Sequence, residues 1–209
     1  MDLMARRRVM LAAKKARLPR EYQEVEHLES TGTQYIITDI PPKAASTTWE
    51  LDFKYTQDIG NMGANWGNGS RFYIDPGFGY GLSYRFSFGI PFDTNRHQFR
   101  LNLYQRRFAQ LDDNEPKVYN GNPAFTEGCP ITLFARSRPG AVDYKGYACI
   151  YSSKIYESGE LVQDLIPCVR KSDSKPGMYD LCGSICTLTD SPFYINAGTG
   201  EFIVGPNVN

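Results

Sequence analysis

The nine residues Thr47–Tyr55 (TTWELDFKY) alternate without a fault: Trp49, Leu51, Phe53 and Tyr55 fall on one side of an extended chain, Glu50, Asp52 and Lys54 on the other. Successive side chains of a strand point to opposite faces, whereas helical apolar positions recur every three or four residues, so this period of two specifies a half-buried antiparallel strand. Further strand candidates are Thr33–Thr38, Arg71–Asp75, Gly81–Phe88, His97–Tyr104, Ile131–Ala135, Tyr144–Tyr156 and Leu161–Arg170. Turn-forming pairs separate them, among them Asn68-Gly69, Pro76-Gly77, Pro139-Gly140 and Ser158-Gly159. After residue 20 no stretch keeps a helical period for three turns. The richness in glycine (19), tyrosine (14), proline (13) and phenylalanine (12) agrees with strands joined by tight turns. Many short strands at this spacing predict an all-β sandwich or jelly roll. At 209 residues, with no linker and no internal repeat, one domain is expected. No run approaches the roughly 20 apolar residues of a membrane-spanning helix, so no membrane partner is expected.

Charge divides the chain unevenly. Residues 1–20 carry seven bases against Asp2 alone, a net +6, while the rest carries 16 bases and 22 acids, a net −6. The apolar stretch Val9–Ala13 is too short for a secretory core of about 7–15 residues and is closed by Lys14 and Lys15. The segment therefore reads as a retained basic arm, rich in helix formers and stopped by Pro19 near Leu18. A basic arm on an acidic body points to a contact made by the arm.

Sites of chemistry are few. Five cysteines and two histidines show no metal-type spacing, so free, mostly buried thiols and no metal or other cofactor are expected. A disulfide from Cys168 to Cys182 or Cys186 is the alternative. Lectin-like sandwiches include glycoside hydrolases with Glu-x-Asp-x-Glu on one strand, whose carboxylates share a face. Glu50 and Asp52 open that pattern, but Lys54 stands where the last carboxylate belongs, so a solvated strand face is the expectation and no catalytic residue is assigned. There is no Gly-x-Ser-x-Gly elbow and no phosphate loop. Asp112–Glu115 reads as a hairpin turn, and Arg170, Lys171 and Asp173 as a structural loop. The aromatic, glycine-rich middle offers candidate ligand contacts, Trp66, Phe78, Tyr80 and Arg85, where rings in or beside turns could stack on sugars. Core or loop-anchoring use is the alternative for each ring.

Two motifs are more particular. Leu18–Glu26 (LPREYQEVE) leads into Leu28–Ile36 (LESTGTQYI), and Lys154–Cys182 (KIYESGELVQDLIPCVRKSDSKPGMYDLC) is followed by Phe193–Pro206 (FYINAGTGEFIVGP). Together they resemble a family of concanavalin-like (laminin-G-like) jelly-roll domains of phages and prophages of gut bacteria. The resemblance implies a jelly roll over 20–209, with 1–19 as the arm. It implies a non-enzymatic virion structural protein, a capsid decoration or a tail or fibre component, displayed on the particle surface after assembly in the host cytoplasm. Host-surface glycans are the implied ligands, and a trimer is the implied homo-oligomer. The arm residues Arg6, Arg7, Arg8, Met10, Leu11, Lys14 and Lys15 are then expected to anchor the protein to other virion proteins rather than to nucleic acid. The rival readings are a glycosidase-like enzyme using Glu50 and Asp52, and a decoration protein without a ligand.

Overall fold

In a computed structural model of the chain, the described residues are 17–65, 70–76, 79–83, 92–121 and 128–208, of which 65, 70 and 79–83 are described by their backbone. They form eighteen strands and no helix. The first six are β1 (Tyr22–Glu24), β2 (Leu28–Thr31), β3 (Ile36–Ile37), β4 (Thr47–Tyr55), β5 (Met62–Asn65) and β6 (Ser70–Asp75). Then come β7 (Gly79–Ser83), β8 (His97–Asn102), β9 (Phe108–Leu111), β10 (Lys117–Val118), β11 (Thr132–Leu133) and β12 (Arg136–Arg138). The last are β13 (Ala141–Asp143), β14 (Tyr147–Glu157), β15 (Glu160–Arg170), β16 (Lys175–Asp180), β17 (Phe193–Ile195) and β18 (Ile203–Val204).

An eleven-stranded sheet runs β10-β9-β8-β4-β14-β15-β16-β17, with β1 beside β15 and β18-β2 beside β14; a five-stranded sheet runs β13-β12-β5-β6-β7. Every pairing is antiparallel except β5 with β12. The two sheets face each other through the apolar side of β4. Trp49 stacks on Phe72 of β6 at 6.0 Å and meets Phe99 of β8 edge-on, while the Tyr55 hydroxyl donates to the Ile74 carbonyl at 3.4 Å. Trp49, Phe53, Phe72 and Ile74 are fully buried. The alternation read in Thr47–Tyr55 therefore marks the centre of an all-β, sandwich-like core.

β14 and β15 form a long hairpin closed by Ser158-Gly159, both at positive φ (55° and 87°), the geometry of a tight two-residue turn that follows the strand twist. A bulge at Tyr151 shifts β14 by one residue against β4, so Ile150 faces Phe53 while Ser152 faces Asp52. β15 runs unbroken through Pro167 to Arg170, although a proline has no N–H to give a ladder. The reason is a change of neighbour. β15 pairs with β14 up to Leu165 and with β1 from Cys168, so the missing N–H falls between partners, and the Pro167 carbonyl still accepts the Val25 N–H at 3.1 Å.

The opening and closing motifs are halves of one knot. Thr33 and Tyr35 carbonyls accept the Thr199 and Ala197 N–H groups, Gln34 Nε2 donates to the Glu201 carbonyl at 2.9 Å, and Asn196 Oδ1 accepts the Tyr35 N–H at 3.1 Å. This loop-to-loop pairing is why the expected strand at Thr33–Thr38 shrinks to Ile36–Ile37. The expected strand at Ile131–Ala135 likewise shrinks to Thr132–Leu133, because Phe134 turns to positive φ (63°). Asp180, wholly buried, accepts the N–H groups of Asp164 (2.8 Å), Cys182 (3.0 Å) and Ser184 (2.8 Å) and the Ser184 hydroxyl, which organises the loop after β16.

A second small apolar cluster covers the outer side of β15–β17: Leu18, Ile166, Cys168 and Phe193, with Tyr22 and Tyr179 against them. Burial on both faces explains the unbroken buried run Gln163–Cys168. Leu18, on the arm side of the expected boundary at residue 19, is thus only 7 % exposed and packed on the body, and Arg17 is paired with Glu24. The arm residues Arg6, Arg7, Arg8, Met10, Leu11, Lys14 and Lys15, and the helix expected there, lie outside the described residues. The five cysteines are unbridged, four buried and Cys182 exposed. No helix among the described residues is long and apolar enough to cross a membrane.

Candidate functional site

The polar side of β4 faces solvent, and its neighbours give it a two-row pattern. Register places Glu50 between Arg100 of β8 and Lys154 of β14, and Asp52 between Gln98 and Ser152. These side chains line a groove of about 370 Å³, with Gln110 and Asp112 at its far side; a second hollow of about 350 Å³ shares Asp52, Gln98, Asp112 and Asp113 and extends the groove past Arg96. The buried face of β4 thus holds the core while its other face builds the site, and the same alternation sets both.

Three of the groove carboxylates, Glu50, Asp52 and Asp112, have fixed partners. Arg96 holds Asp52 with two parallel bonds, Nε to Oδ1 at 2.7 Å and the terminal nitrogen to Oδ2 at 2.8 Å. The Asp52 hydrogen bond raises the Arg96 pKa above its ordinary value. The same guanidinium lies 3.7 Å from the centre of the Tyr151 ring, the residue the bulge turns outward. Arg100 Nε is 3.4 Å from Glu50 Oε1, and the Tyr156 hydroxyl donates to Glu50 Oε2 at 3.0 Å. Burial, and then the bond to Glu50, push the Tyr156 phenol up to about 12. Lys154 pairs with Asp164 at 3.3 Å. At the groove's end His97 bridges two carboxylates, Nδ1 to Asp112 at 2.7 Å and Nε2 to Asp93 at 2.9 Å. Burial lowers the His97 pKa, but the bonds to Asp112 and Asp93 outweigh it and the net shift is upward.

Such a surface presents guanidinium, amide, carboxylate and hydroxyl groups in preset positions beside the half-buried rings of Tyr151 and Tyr156, which suits hydrogen bonding to a polyhydroxyl chain. It is less suited to glycoside cleavage. Both oxygens of Asp52 are taken by Arg96, and Lys54 stands in register with Cys149 rather than completing a carboxylate pair.

Of the residues singled out in the sequence, Glu50 and Asp52 are brought together in this groove. Trp66, Phe78 and Arg85 lie outside the described residues; Tyr80 sits on β7 opposite Ile74, and its side chain lies outside the description. Arg170 and Asp173 close a turn by ion pairing at 2.7 Å, and Lys171 donates to the Arg20 carbonyl at 2.8 Å. Arg96, Gln98, Arg100 and Lys154 were not singled out. The outward positions of Gln98, Arg100 and Lys154 follow from strand alternation, while Arg96 just precedes β8, and the meeting of all four depends on which strands pair. Away from the groove, His27, Glu29 and Cys149 form the one group of His, Cys, Asp and Glu side chains of metal-holding kind among the described residues.

No family model, curated protein or solved structure matches the chain.

Proposed function

We propose that this chain is a non-enzymatic virion structural protein of a bacteriophage whose jelly-roll domain displays a glycan-adhesive surface, the exposed face of β4, β8 and β14. The observation that carries the adhesive part is the groove of paired polar groups lined by Glu50, Asp52, Gln98, Arg100 and Lys154. Guanidinium–carboxylate pairs keep their side chains ordered before a ligand arrives, which lowers the ordering cost of binding. The virion assignment, the concanavalin-like topology and the anchoring role of the basic arm are supported by the two motifs and by the +6/−6 charge division.

The test is binding of the purified full chain to an array of bacterial surface glycans, followed by titration of the best ligand. Arg100→Ala and Asp52→Asn are expected to weaken binding by about tenfold, the loss of one well-placed polar contact. Binding unchanged in both variants sinks the groove assignment, and absence of any glycan binding leaves the decoration reading. Release of reducing sugar that disappears in Glu50→Gln would make the protein an enzyme.

A further inference from the structure

Three chemically distinct ligand types converge on the outer side of β2 and β14. Glu29 and Cys149 are direct cross-strand partners, and His27 immediately precedes β2, two residues before Glu29. One ligand atom from each, an imidazole nitrogen, a carboxylate oxygen and the thiol sulfur, lie within 4.8 Å of one another. Cys149 is 4 % exposed, while His27 and Glu29 are half-buried. The His27 ring is held on both sides, packed 5.2 Å from the Tyr151 ring and against Gly205, where a Cβ would stand 2.6 Å from Nδ1. That Nδ1 is buried and has no hydrogen-bond partner. A buried ring nitrogen without a partner in a folded protein calls for an explanation, and a missing ligand is one.

We propose that His27, Glu29 and Cys149 form a Zn²⁺ site, with the fourth position of the tetrahedron left to solvent or to a small ligand. Imidazole, thiolate and carboxylate are the donors that zinc takes, and three protein ligands with the fourth position open to water or a small ligand make a coordination that zinc adopts. Bond lengths of about 2.0–2.3 Å place such donors closer together than 4.8 Å, so binding draws the three inward. Rotation of the half-buried Glu29 side chain toward the fixed His27 ring supplies that movement without moving either strand. Binding replaces the Cys149 S–H bond by Zn–S and releases the proton to solvent. Lys54, the neighbour of Cys149 on the β4 side, offsets part of the negative charge of thiolate and carboxylate. The bound ion would tie β2 to β14 beside the hairpin that carries the groove.

The experiment uses the full chain, stripped with a chelator and titrated with Co²⁺ and then Zn²⁺. One Co²⁺ per chain is expected, with a thiolate-to-cobalt charge-transfer band in the near ultraviolet that Zn²⁺ abolishes. Cys149→Ser should remove that band, and His27→Gln should weaken Zn²⁺ binding by at least about tenfold. Cys182→Ser, which alters the exposed thiol, should change neither. A band that survives in Cys149→Ser, or a wild-type chain that takes up no Co²⁺, overturns the proposal. X-ray absorption on the zinc-loaded wild type gives a readout independent of the variants' folding: sulfur and imidazole in the first shell are expected, and a shell without sulfur also overturns it.

Discussion

His97 shows how one side chain ties local electrostatics to folding. Its ring stands between Asp112 and Asp93, and its pKa is raised, while that of Asp93 is lowered, first by the Asn95 N–H and then by His97. A histidine with a raised folded pKa contributes stability that is full below its unfolded value of about 6.5 and is lost as pH rises through the folded one. Asp93 works in the opposite sense: its contribution is present above about pH 4 and is lost as pH falls through its lowered folded value. The cluster is therefore strongest in mildly acidic solution, between those limits. His97→Gln should lower the melting temperature most near pH 5–6, by a few degrees at most because the pairs are partly solvent-screened, and the difference should shrink as pH rises through the raised folded value. A gap between wild type and variant that does not change with pH would show that His97 acts through packing alone.

At the scale of elements, the molecule depends on loops that behave like strands. The segments Thr33–Tyr35 and Asn196–Glu201 share backbone and side-chain bonds that join the start of the chain to its end. Gly198 makes the approach possible, because a Cβ there would run into the Thr33 carbonyl oxygen, and backbone cannot yield as a flexible side chain can. Gly198→Ala should therefore cost about 1–3 kcal/mol, the usual penalty for forced overpacking, read as a lower denaturant midpoint. Gly128→Ala, where an added Cβ meets nothing within 4 Å, is the matched control and should stay within about 0.5 kcal/mol of wild type. Equal midpoints for the two variants would mean that the knot is looser than its geometry. The groove belongs to this scale too, since Glu50 and Arg100 meet only because β4 pairs with β8 in one register. A slip of one residue would turn Trp49 outward and dismantle core and groove together.

For the whole molecule, the described body carries two apolar clusters, and among the described residues Leu18 is the first of them in the chain. Deletion of residues 2–16, keeping Arg17 for its pair with Glu24, should leave the far-ultraviolet dichroism unchanged and the melting temperature within about 2 °C of wild type. The same deletion should abolish association with particle proteins in a co-purification assay. A large loss of stability would place the arm in the fold, and intact association would remove its anchoring role.

Much of this protein is a local property of its sequence: alternation in Thr47–Tyr55 sets the β class and the limits of β4, and the Ser158-Gly159 pair sets the hairpin turn. The outward positions of Glu50 and Asp52 belong to the same local rule. What the chain could not state locally is which strands become neighbours. Pro167 stays in its strand because β1 replaces β14 beside it, Thr33–Tyr35 leaves the ladder because a loop more than 160 residues away takes its hydrogen bonds, and His27 meets Cys149 because β2 docks on β14. Alternation assigns a side chain to a face through the geometry of its own backbone, whereas pairing is decided by the burial of all the faces at once, and that exists only in the folded sheet.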